Sequence, residues 1–152
     1  MALISALYPR GPVDVRPRAV ALPADGSVPG LPGWRWIHTP GHTAGHVSLF
    51  RDSDGMLLAG DAFCTTRQES LLAVALQRAE LHGPPAYYTT DWDAARASVE
   101  RLAALDPLVV AAGHGLPMSG PGTSDALREL ADRFDEVARP AHGRYVERPV
   151  RA

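Results

Sequence analysis

The chain has almost no cysteine, no long apolar run and no excess of one charge, and each shortage removes a class of function. Cys64 stands alone, so neither an intrachain disulfide nor a thiolate cluster for zinc can form, and any metal must be held by nitrogen and oxygen. The longest clearly apolar stretch, residues 71–76, is far short of a membrane span, and the first residues show no basic start followed by an apolar core. The expectation is a chain with no membrane partner, cytoplasmic by default. Lys and Arg number 15 against 17 Asp and Glu, mixed along the sequence, for a formal charge of −2. That leaves no basic footprint for nucleic acid or anionic lipid.

Glycine and proline, by contrast, are plentiful at 14 each, clustered over residues 9–40 and 113–122 as turns between short elements. Hydrophobic residues at 45% and charged residues at 21% fit one soluble domain of 152 residues, with residues 1–17 as an irregular entry segment. Residues 18–22 and 34–37 read as short strands around a turn-rich loop. Residues 47–51 and 56–59, joined by Asp52-Ser53-Asp54-Gly55, form a hairpin, because Asp-Gly supplies the positive φ that tight reversals need. Thr66-Arg67-Gln68-Glu69 fits a capping box opening a helix over residues 68–81. Trp92, Ala95, Val99, Leu102 and Ala103 recur at helical spacing, and Pro107 prevents continuation. Residues 108–112 then read as a strand buried on both faces. Residues 124–138 close the chain as an amphipathic helix. The order predicts an α/β layered domain, with one mixed, mainly antiparallel sheet covered by helices on one face.

Chemistry concentrates at three strand ends. The first is Thr39-Pro40-Gly41-His42-Thr43-Ala44-Gly45-His46. His38, His42 and His46 are spaced by four, but Pro40, Gly41 and Gly45 argue against a helix, and in a loop only one of the three need be a ligand. His38 alone is an ordinary polar loop residue. Asp61 follows an apolar strand, where a carboxylate needs a cation or donors, or else caps nearby amides. His114, between Gly113 and Gly115, repeats the pattern at the next apolar strand. In open α/β sheets, sites gather at the carboxyl ends of strands, and the three meet if those strands lie side by side.

These motifs resemble those of the metallo-β-lactamase fold superfamily of hydrolases. The segment from Thr39 to His46 matches its third metal motif, Gly60-Asp61 its fourth and Gly113-His114 its fifth, in order, from about residue 18 onward. The resemblance implies that His42 binds a first metal, Asp61 bridges two metals and takes part in catalysis, and His114 binds the second, with His46 supporting the ligands. It implies zinc first, iron or manganese as alternatives, a small-molecule substrate, and cleavage of an ester, thioester, lactone or phosphodiester by metal-bound hydroxide. Arg67 is placed to pair with an anionic substrate, or is a solvated helix-start residue. Cys64 reads as packing, His142 as a surface loop residue, and Tyr87 and Tyr88 as rim or core.

The departure matters equally. The superfamily's His-x-His-x-Asp-His motif is absent: the six histidines are His38, His42, His46, His82, His114 and His142. The chain thus resembles the second half of an αββα sandwich, with each metal keeping one histidine and a shared carboxylate. Two expectations follow. One is a truncated hydrolase, inactive as isolated; the other is a non-catalytic half-fold module with a vestigial site. In either case the bare sheet face calls for a homodimer or a complementary chain.

Overall fold

The computed structural model describes residues 16–67, 75–76 and 79–150. The hairpin forms where Asp54-Gly55 predicts it. Strand β2 (Val47–Arg51) turns into β3 (Met56–Gly60), pairing Leu49 with Leu58 and Phe50 with Leu57. Strand β1 (Trp34–His38) lies antiparallel to β2 on the other side, and β4 (Val109–Ala112) runs parallel to β3. A two-residue strand, β5 (Met118–Ser119), completes the order β1-β2-β3-β4-β5. Because β2 is antiparallel to both neighbours, β1, β3 and β4 all point the same way. Their carboxyl ends share one edge of the sheet.

Alternation decides which face is covered. Ile37, Phe50, Leu57, Ala59 and Val110 are buried and pack into one cluster with the helices. Helix α1 (Trp92–Ala103) contributes Trp92, Ala95, Val99 and Leu102 to that cluster. Its start is fixed by Asp91, whose carboxylate accepts from the backbone N–H groups of Asp93 and Ala94 at 3.1 and 3.0 Å. Helix α2 (Thr123–Asp132) adds Leu127 and Leu130, and the short α3 (Phe134–Val137) adds Phe134, whose ring lies 6.2 Å from that of Trp92. A last turn, α4 (Arg144–Glu147), follows. On the opposite face Trp36, Leu49, Leu58 and Ala111 stand in register across four strands and are only half-buried. No described helix is long and apolar enough to cross a membrane.

Four expectations need correction. Residues 18–22 form no strand; Arg16–Arg18 make a 3-10 turn, Val20 is exposed, and only Ser27 bridges β1, at Arg35. The strand expected at 108–112 is deeply buried only at Val110, with Leu108 exposed, because the helices cover one face of it. The closing helix is interrupted at Arg133 (φ −109°, ψ 19°), which leaves Phe134 buried against Trp92. Of the helix over 68–81, residues 68–74 and 77–78 lie outside the described residues; residues 75–76 are helical and 79–81 are not. There Glu80 N–H donates to Thr65 and His82 bridges Cys64 instead.

Candidate metal centre

The shared sheet edge brings the three strand-end motifs together. At the last residue of β3, Gly60 adopts φ +57°, and a β-carbon there would lie 2.7 Å from His46 Nε2. A side chain at that position would strain the backbone and push the imidazole aside. Asp61 follows directly. Ala59 is an extra residue in the β3–β4 pairing, so that Leu58 faces Ala111 while Gly60 faces Ala112. Gly113 N–H then donates to Gly60 O at 2.7 Å, which sets His114 beside Asp61. A β-carbon on Gly113 would collide with Asp61 Oδ1, so the close approach requires glycine.

His42 comes from the β1–β2 loop, which α1 clamps from above. Gly41 O accepts from Thr90 and Asp91 N–H at 2.9 and 3.0 Å, and Ser98 Oγ donates to Pro40 O at 2.7 Å. His114 is held through its backbone: its carbonyl accepts from both the N–H and the hydroxyl of Thr65, each at 3.0 Å.

Asp61 lies between two imidazoles. His42 Nε2 is 3.5 Å from its Oδ2 and His114 Nε2 is 3.6 Å from its Oδ1. These separations are long for charge-assisted hydrogen bonds, which run about 2.7–2.9 Å. They suit two atoms bound to one tetrahedral ion: bonds of about 2.0–2.2 Å at the tetrahedral angle put the donors about 3.4 Å apart.

The hydrogen-bond network argues the same way. Thr89 Oγ1 donates to Pro85 O at 2.9 Å, so its contact with His42 Nδ1 at 3.4 Å is one in which the imidazole donates. That assigns the proton to Nδ1 and turns the Nε2 lone pair toward the carboxylate. Burial, the largest influence on His42, holds its pKa below the ordinary value against the attraction of Asp61, and His46 and His114 add to the lowering. A neutral nitrogen lone pair therefore faces a carboxylate oxygen. Asp61 Oδ1 is itself buried without a hydrogen-bond partner among the described residues. Such an arrangement is unfavourable without a cation and favourable with one. The residues fit a divalent metal.

His46 has no lone pair to offer. Its Nε2 accepts from Asp61 N–H at 2.9 Å, and its Nδ1 faces Thr39 O at 3.0 Å and Thr39 Oγ1 at 2.9 Å. Ser48 Oγ donates to Ala59 O at 2.9 Å; Thr39 Oγ1 then donates to Ser48 Oγ at 2.9 Å and is left to accept from the imidazole. The His46 Nδ1 proton is shared between the Thr39 carbonyl and hydroxyl oxygens, and its Nε2 fixes the peptide that carries Asp61. Burial, the largest influence, depresses the His46 pKa, while the Thr39 carbonyl and Asp61 oppose it and His38 adds to it.

The donors are divided rather than gathered: among the described residues no three such side chains form a cage for a single ion. Each carboxylate oxygen instead faces its own histidine. His38 is exposed, with Nε2 2.8 Å from Ala44 O. Cys64 is buried. Arg67 is exposed and, with Tyr87 and His142, lines a separate cavity. Sequence reasoning missed Ser48 and Thr89 and named Thr39 and Thr65 only as members of their segments; all four are buried. Ser48 carried only a slight signal, a hydroxyl among Val47, Leu49 and Phe50.

A family model described as the metallo-beta-lactamase superfamily matches residues 2–114. The chain belongs to the metallo-beta-lactamase superfamily. It is 49% identical over 137 residues to the Probable metallo-hydrolase YflN of Bacillus subtilis (strain 168), covering 90% of this chain and 52% of that protein. It thus spans about half the length of that relative. An archaeal superfamily protein, ST1585 of Sulfolobus tokodaii, matches with a TM-score of 0.51 and 22% identity, over 73% of this chain and 37% of that one. The chemotaxis sensor ODP, solved as a diiron species, matches with a TM-score of 0.50 and 22% identity, over 78% and 53%. These two likenesses show the fold alone. The superfamily fold is that of metal-dependent hydrolases, and it binds divalent metals.

Proposed function

We propose that this chain supplies one wall of a two-metal hydrolytic centre, in which His42 and Asp61 Oδ2 hold one ion and His114 and Asp61 Oδ1 hold the other. The observation that carries the reading is the Asp61 carboxylate, with one oxygen buried and unpartnered and each oxygen facing a separate imidazole. Zinc is the first choice for imidazole and carboxylate donors, with iron or manganese next. When bound, such metals lower the pKa of water and polarise a carbonyl or phosphoryl oxygen, the chemistry of ester, thioester, lactone and phosphodiester cleavage. The chain's own residues then have distinct duties. Asp61 sets the spacing of the two positions, His46 holds the Asp61 peptide in place, and Thr89 keeps the His42 proton on Nδ1.

Two donors per ion are fewer than the three or four that a stable site uses. The remaining donors come from polypeptide packed on the open face beside Trp36, Leu49 and Leu58, and residues 1–152 alone have little hydrolase activity. Elemental analysis of protein purified without added metal, followed by zinc titration, tests this. Weak binding that Asp61→Asn abolishes is expected; zinc binding unchanged in that variant overturns the assignment.

The same open face favours a second reading, a non-catalytic assembly module with a vestigial site. Full activity on restoring the missing donors would count against it.

A further inference from the structure

A half-open cavity of about 620 Å³, within the range of small-molecule sites, is lined by Arg67, Tyr87, Trp92, Arg144 and Tyr145 among others. Its walls continue the segments that hold the two imidazoles. Thr65, which binds the His114 carbonyl, leads through Thr66 to Arg67, and Thr89, beside His42, closes the turn that carries Tyr87. Residues around α4, among them Arg144 and Tyr145, also line it.

The charges on this cavity are unequally committed. Arg139 is paired with Asp93 at 2.9 Å and with Asp135 at 3.4 Å, and Glu136, the lining acid, is paired with Arg133 at 3.1 Å. Arg67 and Arg144 have no carboxylate partner among the described residues. Arg144 lies 5.2 Å from the centre of the Tyr145 ring, a contact that orients the guanidinium without neutralising it. Two uncommitted guanidiniums and two phenol rings in one lining offer forks for an oxyanion and flat surfaces for an apolar body.

We propose that this cavity binds the oxyanion-bearing end of the substrate, a carboxylate or phosphate on an apolar or aromatic body, while the scissile bond lies at Asp61. The inference rests on the hydrolase reading for its meaning but not for its test, since anion binding here needs no metal. Benzoate and phenylphosphonate serve as carboxylate and phosphate probes, with benzamide as the neutral shape match, each titrated into the full metal-free chain while the Trp92 indole resonance is followed.

One or both anions bind more tightly than benzamide, and Arg67→Gln with Arg144→Gln weakens them by about tenfold, as the loss of charge-assisted forks predicts. Arg35→Gln, on the far end of the sheet, leaves binding unchanged. Equal binding of benzamide and benzoate, or anion binding indifferent to the double substitution, overturns the proposal. Asp61→Asn retains anion binding while losing metal, so the cavity and the metal centre fail or stand separately.

Discussion

At the scale of single residues, the site turns on where protons sit. His46 is held neutral by burial and by a network with no acceptor left over, and its folded pKa is depressed. Between that value and the ordinary one near 6.5, the unfolded chain binds more protons than the folded one, so stability climbs with pH across the interval. The contribution is whole above about pH 6.5 and is lost as pH falls through the folded value. Thermal midpoints at pH 7.5 and 5.5 should differ more in the parent chain than in His46→Gln, with His42 adding a drop of the same sign. Asp61→Asn should lose zinc binding yet hold or raise metal-free stability, by up to about 1 kcal/mol, because it relieves a buried, unpartnered carboxylate oxygen. Calorimetry with and without chelator separates the two effects.

At the scale of elements, close approach and capping set the costs. Gly113→Ala drives a methyl into Asp61 and should cost about 1–3 kcal/mol, with the loss concentrated in metal affinity if β4 shifts to make room. Asp91→Ala removes two accepted hydrogen bonds at the start of α1 and should cost about 0.5–2 kcal/mol in urea unfolding. The elements that sequence made legible are those with local chemistry. Asp54-Gly55 names its turn, and the spacing of Trp92, Ala95 and Val99 its helix. Elements that depend on distant partners were not legible. Residues 18–22 have strand-like composition but no neighbouring strand, the two residues of β5 exist only because β4 is beside them, and the break at Arg133 answers to Trp92 on another helix. The candidate site divides the same way. His42, Asp61 and His114 could be proposed from motif and glycine, whereas the Thr39–Ser48 chain behind His46 needed the register of β2 to become visible.

For the whole molecule, the question is the sheet's second face. Trp36, Leu49, Leu58 and Ala111 line up across four strands as a core-like row that the described helices leave half-open. Apolar rows of this kind in soluble proteins mark contact with another polypeptide. Sedimentation at micromolar concentrations should show self-association, reduced when Leu49→Lys and Leu58→Lys are combined. A well-folded monomer at every concentration would exclude that use of the face.

The single parallel pairing in the sheet also orders events in time. The β2–β3 hairpin closes over a few residues, but β4 reaches β3 only after a crossover of nearly fifty, and long loops close late. Loop, hairpin and acid can assemble early, while His114 arrives with β4. Formation of the second ion position therefore reports the docking of β4, readable by hydrogen-exchange labelling of the Gly113 amide during refolding.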